Sequence, residues 1–534
     1  MDNIALTLAR RLPGLLEPLA RIPLVRRVVS SLAIDILASS TSPRPRAFSM
    51  AGDYTTWMSL TDRKFTGRHL PPFDWPPDLL PAESDVSLLF QSPKDDKGDD
   101  VRVESSDTSV MFSFFAQWFT DSFLRTSRAD FRQNTSNQEI DLCQIYGLTE
   151  EKTGMLRSHE GGRLKSQLID GAEYPAFLFE PRSPGGTLLF KPEFKDLHDE
   201  AFITDVILGD CPDDRKDSFF AVGLEHGNST IGNTILNVLF LREHNRIADA
   251  LREAHPEWAD DPEGADPRLF ETTRNIMIVL LLKIVVEEYI RHITPGDFPI
   301  ELVPFAADGK TWNRSNWVSI EFNLLYRWHS LVPSAITLDG GRVPSTDFRN
   351  NNPLIISRGI ETLIAQCSRQ RSGRIGLLNT PYFLSTRAPQ HPDVPSVEER
   401  AVALMRKARL ASYNDYREQF GLDRLRSFDE LTKNRELRSR LAVLYGDIDR
   451  LEWYVGIFAE DYGRDEMMGS LMTTMVAYDA FTQALTNPLL ARNVYNEATF
   501  TRTGMDIIAG TSTLQQILAR NSMSPETAYS NFKC

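Results

Sequence analysis

Residues 321–329 read Glu321-Phe-Asn-Leu-Leu-Tyr-Arg-Trp-His329, and residues 110–126 read Val110-Met-Phe-Ser-Phe-Phe-Ala-Gln-Trp-Phe-Thr-Asp-Ser-Phe-Leu-Arg-Thr126. Both repeat apolar residues at three- and four-residue steps, the period of a helix with one face turned inward. The same period runs through Val110 to Arg125, Thr234 to Glu253, Leu269 to Ile293, Trp317 to His329, Val397 to Phe420 and Leu471 to Thr486. There is no strand–helix–strand rhythm and no internal repeat. The fold class is therefore mainly α, with residues 49–534 as one large domain behind a distinct segment, 1–48. Ser92 to Ser109, rich in Asp, Lys and Ser, reads as a solvated loop, and so does Asn379 to Ser396 with its four prolines, Pro381, Pro389, Pro392 and Pro395.

Of the 534 residues 41% are hydrophobic, enough for a sizeable core. A net charge of −14 argues against nucleic acid as a partner, because a phosphate-binding face needs an excess of Lys and Arg. Cys143, Cys211, Cys367 and Cys534 have neither paired nor zinc-like spacing, which fits a reducing compartment. The longest apolar run, Ile276 to Leu282, is too short to span a bilayer. Arg10, Arg11, Arg21, Arg26 and Arg27 interrupt the N-terminal apolar stretches before a secretory signal can develop. With Arg44 and Arg46 they give residues 1–48 seven arginines against Asp2, Glu17 and Asp35, in an otherwise acidic chain. Short apolar clusters alternate with these arginines and with Pro13, Pro18 and Pro23. That pattern predicts several short amphipathic helices suited to an anionic membrane surface, or else an arm packed on the body or on a second subunit.

On a helix, residues three apart share a face, which would direct Tyr326 and His329 into one space. A neutral imidazole is a good axial ligand for iron, and a phenol beside an oxidisable iron centre can lose an electron and a proton to become a radical. Taken alone, the pair is equally compatible with ordinary packing. Gln117 and Asp121, four apart, sit among Phe112, Phe114, Phe115, Phe119 and Phe123, where unpartnered polar groups are costly to bury. Either Asp121 faces water or both residues overlook a cofactor pocket.

Between the two strings lies Leu241-Arg-Glu-His-Asn-Arg246, and around them lie Asp53-Tyr-Thr-Thr-Trp57, Ile140-Asp-Leu-Cys-Gln-Ile-Tyr-Gly147, Gly373-Arg-Ile-Gly376 and Leu444-Tyr-Gly-Asp-Ile-Asp-Arg-Leu-Glu-Trp-Tyr454. In this order they resemble the cyclooxygenase (prostaglandin endoperoxide synthase) branch of the animal-type haem peroxidase superfamily. The resemblance implies a haem peroxidase-like helical domain, haem b as the iron cofactor, O2 and a fatty acid or related lipid as substrates, and monotopic attachment to a cytoplasmic membrane surface through the N-terminal segment. It implies that His329 is the iron ligand and that Tyr326 becomes the radical that takes hydrogen from the lipid. Trp328, Phe119, Phe123, Ile290, Ile293, Phe322, Leu325 and Ala480 would line the substrate channel. Tyr454 would orient the ligand histidine, the usual task of a residue behind a metal ligand, and Gln117 would be the distal glutamine. The string around His244 is expected to knit helices together rather than to bind metal.

The pattern also breaks. The family's distal histidine falls on Asp121, a residue able to shuttle protons if its pKa suits. The arginine and tyrosine that hold the substrate carboxylate fall on Ala38 and Gly296. The acid is then held by another group, such as Arg44 or Arg46, or it enters in another pose, or the substrate is not a free acid. Ala480 and Gln483 replace further channel residues, so prostaglandin chemistry does not follow. A homodimer is an option, although no cysteine-rich growth-factor-like module precedes the N-terminal segment to mediate it. Three readings result. The first is a fatty-acid dioxygenase working through Tyr326, the second a peroxygenase or hydroperoxide isomerase working through Asp121, and the third a non-catalytic haem or lipid binder.

Overall fold

The computed structural model describes residues 18, 21–39, 46–183, 185–294, 299–389 and 391–534. Helices carry the fold, and among the described residues the sheets are two-stranded pairs. The elements that position the site are α1 (Pro23–Ser39), β1 (Glu104–Ser109), α2 (Val110–Thr120), α3 (Ile231–Ala254), α4 (Ala265–Ile284), α5 (Ile320–Leu325), β2 (Arg371–Gly373), α6 (Val397–Lys407), α7 (Tyr413–Gln419), α8 (Trp453–Ala459), α9 (Ser470–Leu485), α10 (Glu497–Ala509) and α11 (Leu514–Asn521).

Helix α3 is the hub. It packs against α2, α4, α10 and α11, and every residue from Ile231 to Asn245 is buried. A helix enclosed on all sides must satisfy its polar side chains internally. Asn237 accepts from Trp118 Nε1 at 2.8 Å and donates to the Gly227 carbonyl at 3.0 Å. Glu243 accepts from Arg246, Arg520 and Asn521, tying α3 to α11. His244 lies between the Tyr146 hydroxyl (2.8 Å) and the Gly162 carbonyl (2.9 Å), and burial pushes its pKa down to about 3. This string is structural, as the sequence led us to expect.

The contact between α2 and α3 is made close by Gly232. A Cβ there would lie 2.3 Å from Phe114 Cγ, so only glycine lets the two helices meet at this point. Helix α2 is capped by Ser109, whose hydroxyl accepts from Phe112 N–H, and all of its residues are buried except Gln117 and Thr120, which are half-buried. Helix α4 runs on through a π-helical stretch, Val285–Ile290, into Arg291–Ile293.

Several expectations need correction. The stretch Trp317 to His329 is not one helix, since α5 covers only its middle. The stretch Val397 to Phe420 is two helices, α6 and α7, separated at residues 408–412, where Arg409 has φ +57°. The C-terminal part of the Ser92–Ser109 loop is β1, paired antiparallel with β2, because its alternating residues meet a partner 260-odd positions away that local composition cannot show. The apolar clusters of residues 24–37 join in the single helix α1, whose Val29, Ala33, Ile34 and Ala38 are buried and which packs against α9. The clusters near residues 4–6 and 15–16 lie outside the described residues, as do Arg44 and Gly296. No described helix is long and apolar enough to cross a membrane.

Replacing Gly232 by Val should force α2 and α3 apart. We expect a loss of about 1–3 kcal/mol in unfolding free energy, read as a lower denaturant midpoint.

Candidate functional site

The Tyr326–His329 segment is a tight turn. Ser319 caps α5 by accepting from Phe322 N–H, and the helix stops at Leu325. Arg327 N–H then bonds to Leu324 O and His329 N–H to Arg327 O, and a 3-10 turn follows over His329–Leu331. On a helix, residues two apart point about 200° away from each other. Here the rings of Tyr326 and Trp328 are 4.8 Å apart, a contact that the turn permits and a helix forbids. Tyr326 and His329 therefore do not share a helical face as their spacing predicts: the helix ends at Leu325, and the pair lies in the turn that follows.

His329 is held from behind by a carboxylate that the sequence reading missed. Its Nδ1 is 3.0 Å from Oε1 of Glu398, a buried residue of α6. The same oxygen accepts from the Thr380 hydroxyl at 3.0 Å, and Oε2 accepts from the Tyr454 hydroxyl at 3.2 Å. Tyr454, on α8, thus reaches the histidine through Glu398. Burial, reinforced by Glu398, keeps its phenol well above the usual range, hence protonated and able to donate. With Nδ1 engaged as donor, Nε2 is the nitrogen open to a metal. The signal for Glu398 was faint, because a Glu two residues into a capped helix reads as first-turn charge.

From the same turn, aromatic rings form a closed circuit. From Tyr326 it passes to Phe322 (4.9 Å), Phe123 (6.2 Å), Phe119 (5.1 Å), Tyr289 (5.7 Å), Phe112 (5.0 Å), Trp328 (6.5 Å) and back to Tyr326 (4.8 Å). Five of these seven were expected at the site; Phe112 and Tyr289 were not. Burial pushes the Tyr326 phenol far up, with Asp479 adding to the shift, and burial together with Tyr326 does the same to Tyr289. Both are neutral phenols at ordinary pH, and the Tyr289 hydroxyl is buried without a hydrogen-bond partner among the described residues. Ile290 and Ile293 follow Tyr289 along the continuation of α4, Leu325 is buried at the end of α5, and Ala480 is buried on α9, which packs on α5.

Gln117 and Asp121 end α2, with Asp121 N–H donating to the Gln117 carbonyl at 3.1 Å. Both are half-buried. Burial raises the Asp121 carboxyl to about 7, against the lowering effects of Arg125 and of a hydrogen bond from Asn233. Arg46, considered above as a holder of substrate carboxylate, is already used. It donates to Asp479 (2.7 Å), to His69 Nδ1 (3.2 Å) and to the Trp317 carbonyl (3.2 Å). Because a guanidinium only donates, His69 Nδ1 is the acceptor, and Nε2 donates to Asp479 at 2.8 Å. The cation is neutralised inside the protein, and Ser319, the cap of α5, also donates to Asp479 at 3.2 Å.

Residues 86–532 match the family model for animal haem peroxidase. The chain belongs to the animal haem peroxidase family. It is 31% identical to prostaglandin G/H synthase 1 of Rattus norvegicus, over 93% of this chain and 77% of that protein. It is 30% identical to prostaglandin G/H synthase 2 of Bos taurus, over 91% and 75%. In fold it is similar to the fatty acid alpha-dioxygenase of Oryza sativa (TM-score 0.69, 15% identity, 100% of this chain and 97% of that one). It is also similar in fold to peroxidase A of Dictyostelium discoideum (TM-score 0.68, 20% identity, 91% and 99%).

The residues present fit the haem that this family binds. Among the described residues no group of three or more His, Cys, Asp or Glu could hold a bare metal ion. One histidine with a free Nε2 suits an iron whose other in-plane ligands come from a porphyrin. Two residues before that histidine, Arg327 Nε is buried without a hydrogen-bond partner among the described residues, and Nη2 of the same side chain donates to neutral Asn323 Oδ1 at 3.5 Å. This half-buried guanidinium has no carboxylate at ion-pair distance among the described residues, which suits an anion, and a haem carries two propionates.

Glu398→Gln should leave the imidazole less basic and less well oriented. We expect haem affinity to fall roughly tenfold in a haem titration, with a smaller loss in Tyr454→Phe, where Thr380 still holds the carboxylate.

Proposed function

We propose that this chain is a haem-dependent fatty-acid dioxygenase in which His329 Nε2 binds the iron of haem b and Tyr326 is the group that attacks the acyl chain. The observation that carries this reading is the aromatic circuit. It places the Tyr326 phenol in an apolar enclosure, in a turn shared with a histidine already braced by Glu398. Bound haem supplies the one-electron oxidant. Tyr326, protonated in its buried setting, gives up an electron and its phenolic proton together. The phenoxyl then takes a hydrogen atom from an acyl C–H, leaving a carbon radical. O2 adds to that carbon to give a peroxyl radical, which takes a hydrogen atom back from Tyr326, so the hydroperoxide leaves and the phenoxyl is restored. Support comes from the prostaglandin G/H synthase relatives and from the rice alpha-dioxygenase fold, a variant of which was solved with palmitic acid (TM-score 0.70, 15% identity). Tyr326→Phe should bind haem normally and reduce fatty-acid-dependent O2 uptake to background at an oxygen electrode. Uptake at the parental rate would refute the proposal.

A second reading, a peroxygenase or hydroperoxide isomerase, is favoured by the setting of Asp121, half-buried at the end of α2 with Asn233 Nδ2 donating to it at 3.3 Å, where burial raises its carboxyl to about 7. It reverses the outcome above, with Tyr326→Phe harmless and Asp121→Asn disabling.

We further propose that α1 seats the enzyme peripherally on a cytoplasmic membrane surface. Its inner face packs on α9, while Ile22, Val25, Val28 and Leu32 form an exposed apolar stripe, with Val28 69% and Leu32 49% exposed and with Arg21 and Arg27 exposed nearby. Apolar residues that already have a second, outward stripe suit the headgroup boundary. Val28→Asp/Leu32→Asp should cut co-sedimentation with anionic vesicles at least about tenfold without changing the thermal midpoint.

A further inference from the structure

Asn233 stands in the first turn of α3, brought to the end of α2 by the Gly232–Phe114 contact. Its Nδ2 donates to Asp121 Oδ2 at 3.3 Å and to the His226 carbonyl at 3.3 Å. A carbonyl can only accept, so the amide is fixed with its nitrogen toward both partners. Asn233 Oδ1 is consequently buried with no hydrogen-bond partner among the described residues. The amide thus gives up one of its own bonds to hold the carboxylate, the reverse of what folding alone favours. The N-terminal turn of a 24-residue helix adds a positive end to the same neighbourhood.

We propose that Asn233 is the positioning residue for the distal proton acceptor: by holding Asp121 Oδ2 it leaves Oδ1 to take the proton from small acids that approach the haem iron. In that step the H–X bond of the acid breaks, the proton passes to Asp121 Oδ1, and the electron pair stays on X, the anion that bound haem would take up. The proposal rests on haem binding and not on turnover of a fatty acid.

The charged groups around Asp121 leave it as the group that titrates. Arg125, following α2, donates to the Asp121 carbonyl at 3.4 Å and pairs with Glu225 at 2.7 Å. Burial raises Glu225, but Arg125, a backbone hydrogen bond and His226 together outweigh it and bring the carboxyl down to about 2, so it is charged throughout. His226, on the segment before α3, is held below its ordinary value by burial and by Arg125 and Arg128, with Glu225 opposing, which leaves it neutral. The Asp121 carboxyl, raised to about 7 by burial and lowered in part by Arg125 and Asn233, changes charge above both of these. Loss of a hydrogen bond to the charged form raises a carboxyl pKa.

Hydrogen cyanide, a small acid that binds ferric haem as its anion, provides the test. Stopped-flow absorbance of the haem-loaded protein should show association accelerating with pH, with a midpoint near 7. In Asn233→Leu and Asn233→Ser the midpoint should move up by about one pH unit, with association near neutral pH slowed up to about tenfold. Asp121→Asn should remove the pH dependence. An unshifted midpoint in a haem-loaded Asn233 variant overturns the proposal, as does a retained midpoint in Asp121→Asn, which would assign the proton to His226. Failure of both Asn233 variants to fold or to load haem also overturns it, in favour of a purely structural asparagine. A failure of the dioxygenase reading would be seen in O2 uptake and would leave the cyanide result unchanged.

Discussion

The burial of α3 from Ile231 to Asn245 is the constraint on which most of the molecule turns. A helix with no solvent face cannot leave a polar group to water, so each one fixes a neighbour: Trp118 of α2, Tyr146, and Arg520 and Asn521 of α11. Helix α2 is registered on α3 twice, by the Trp118–Asn237 hydrogen bond and by the missing Cβ of Gly232. The position of the Asp121 carboxylate follows from that register, as does its distance to Asn233.

The His329 side is organised by carboxylates rather than by helix packing. Glu398 braces the imidazole from α6. Asp479 of α9 gathers Arg46, His69 and Ser319 at the start of α5, and Glu321 accepts from His69 N–H (2.9 Å) and the Tyr416 hydroxyl (2.7 Å). Buried carboxylates with two or three donors each make a stiff mount. The short α5 needs one, since six residues make too little helix to hold a shape unaided.

Much of this was legible in the sequence, for reasons that also explain what was not. The long helices α3, α4 and α9 announce themselves by period alone, and the ordered strings identify the family. The Tyr326–His329 turn does not, because its residues keep the spacing of a helix while the ring contact between Tyr326 and Trp328 imposes another backbone. Glu398 and Asp479 went unread because a buried acid and an exposed one look alike until the partner is known, and here the partners lie 69 and 433 residues away. Arg46 shows the converse: a cation offered by the sequence for a substrate proves to be matched internally. Asn233 carried no signal at all, since an amide in a first helical turn is unremarked on until the facing carboxylate is placed.

The π-helical stretch Val285–Ile290 carries Tyr289 into the aromatic circuit. Such a stretch is in effect one residue inserted into a regular helix, and each residue of an α-helix turns the chain by about 100°. Closing it by a single deletion would restore regular hydrogen bonding locally while rotating Tyr289, Ile290 and Ile293 away from their present directions. The wall of the enclosure is therefore encoded as a phase, and a change of length on α4 would redraw it where changes of side chain would only retouch it.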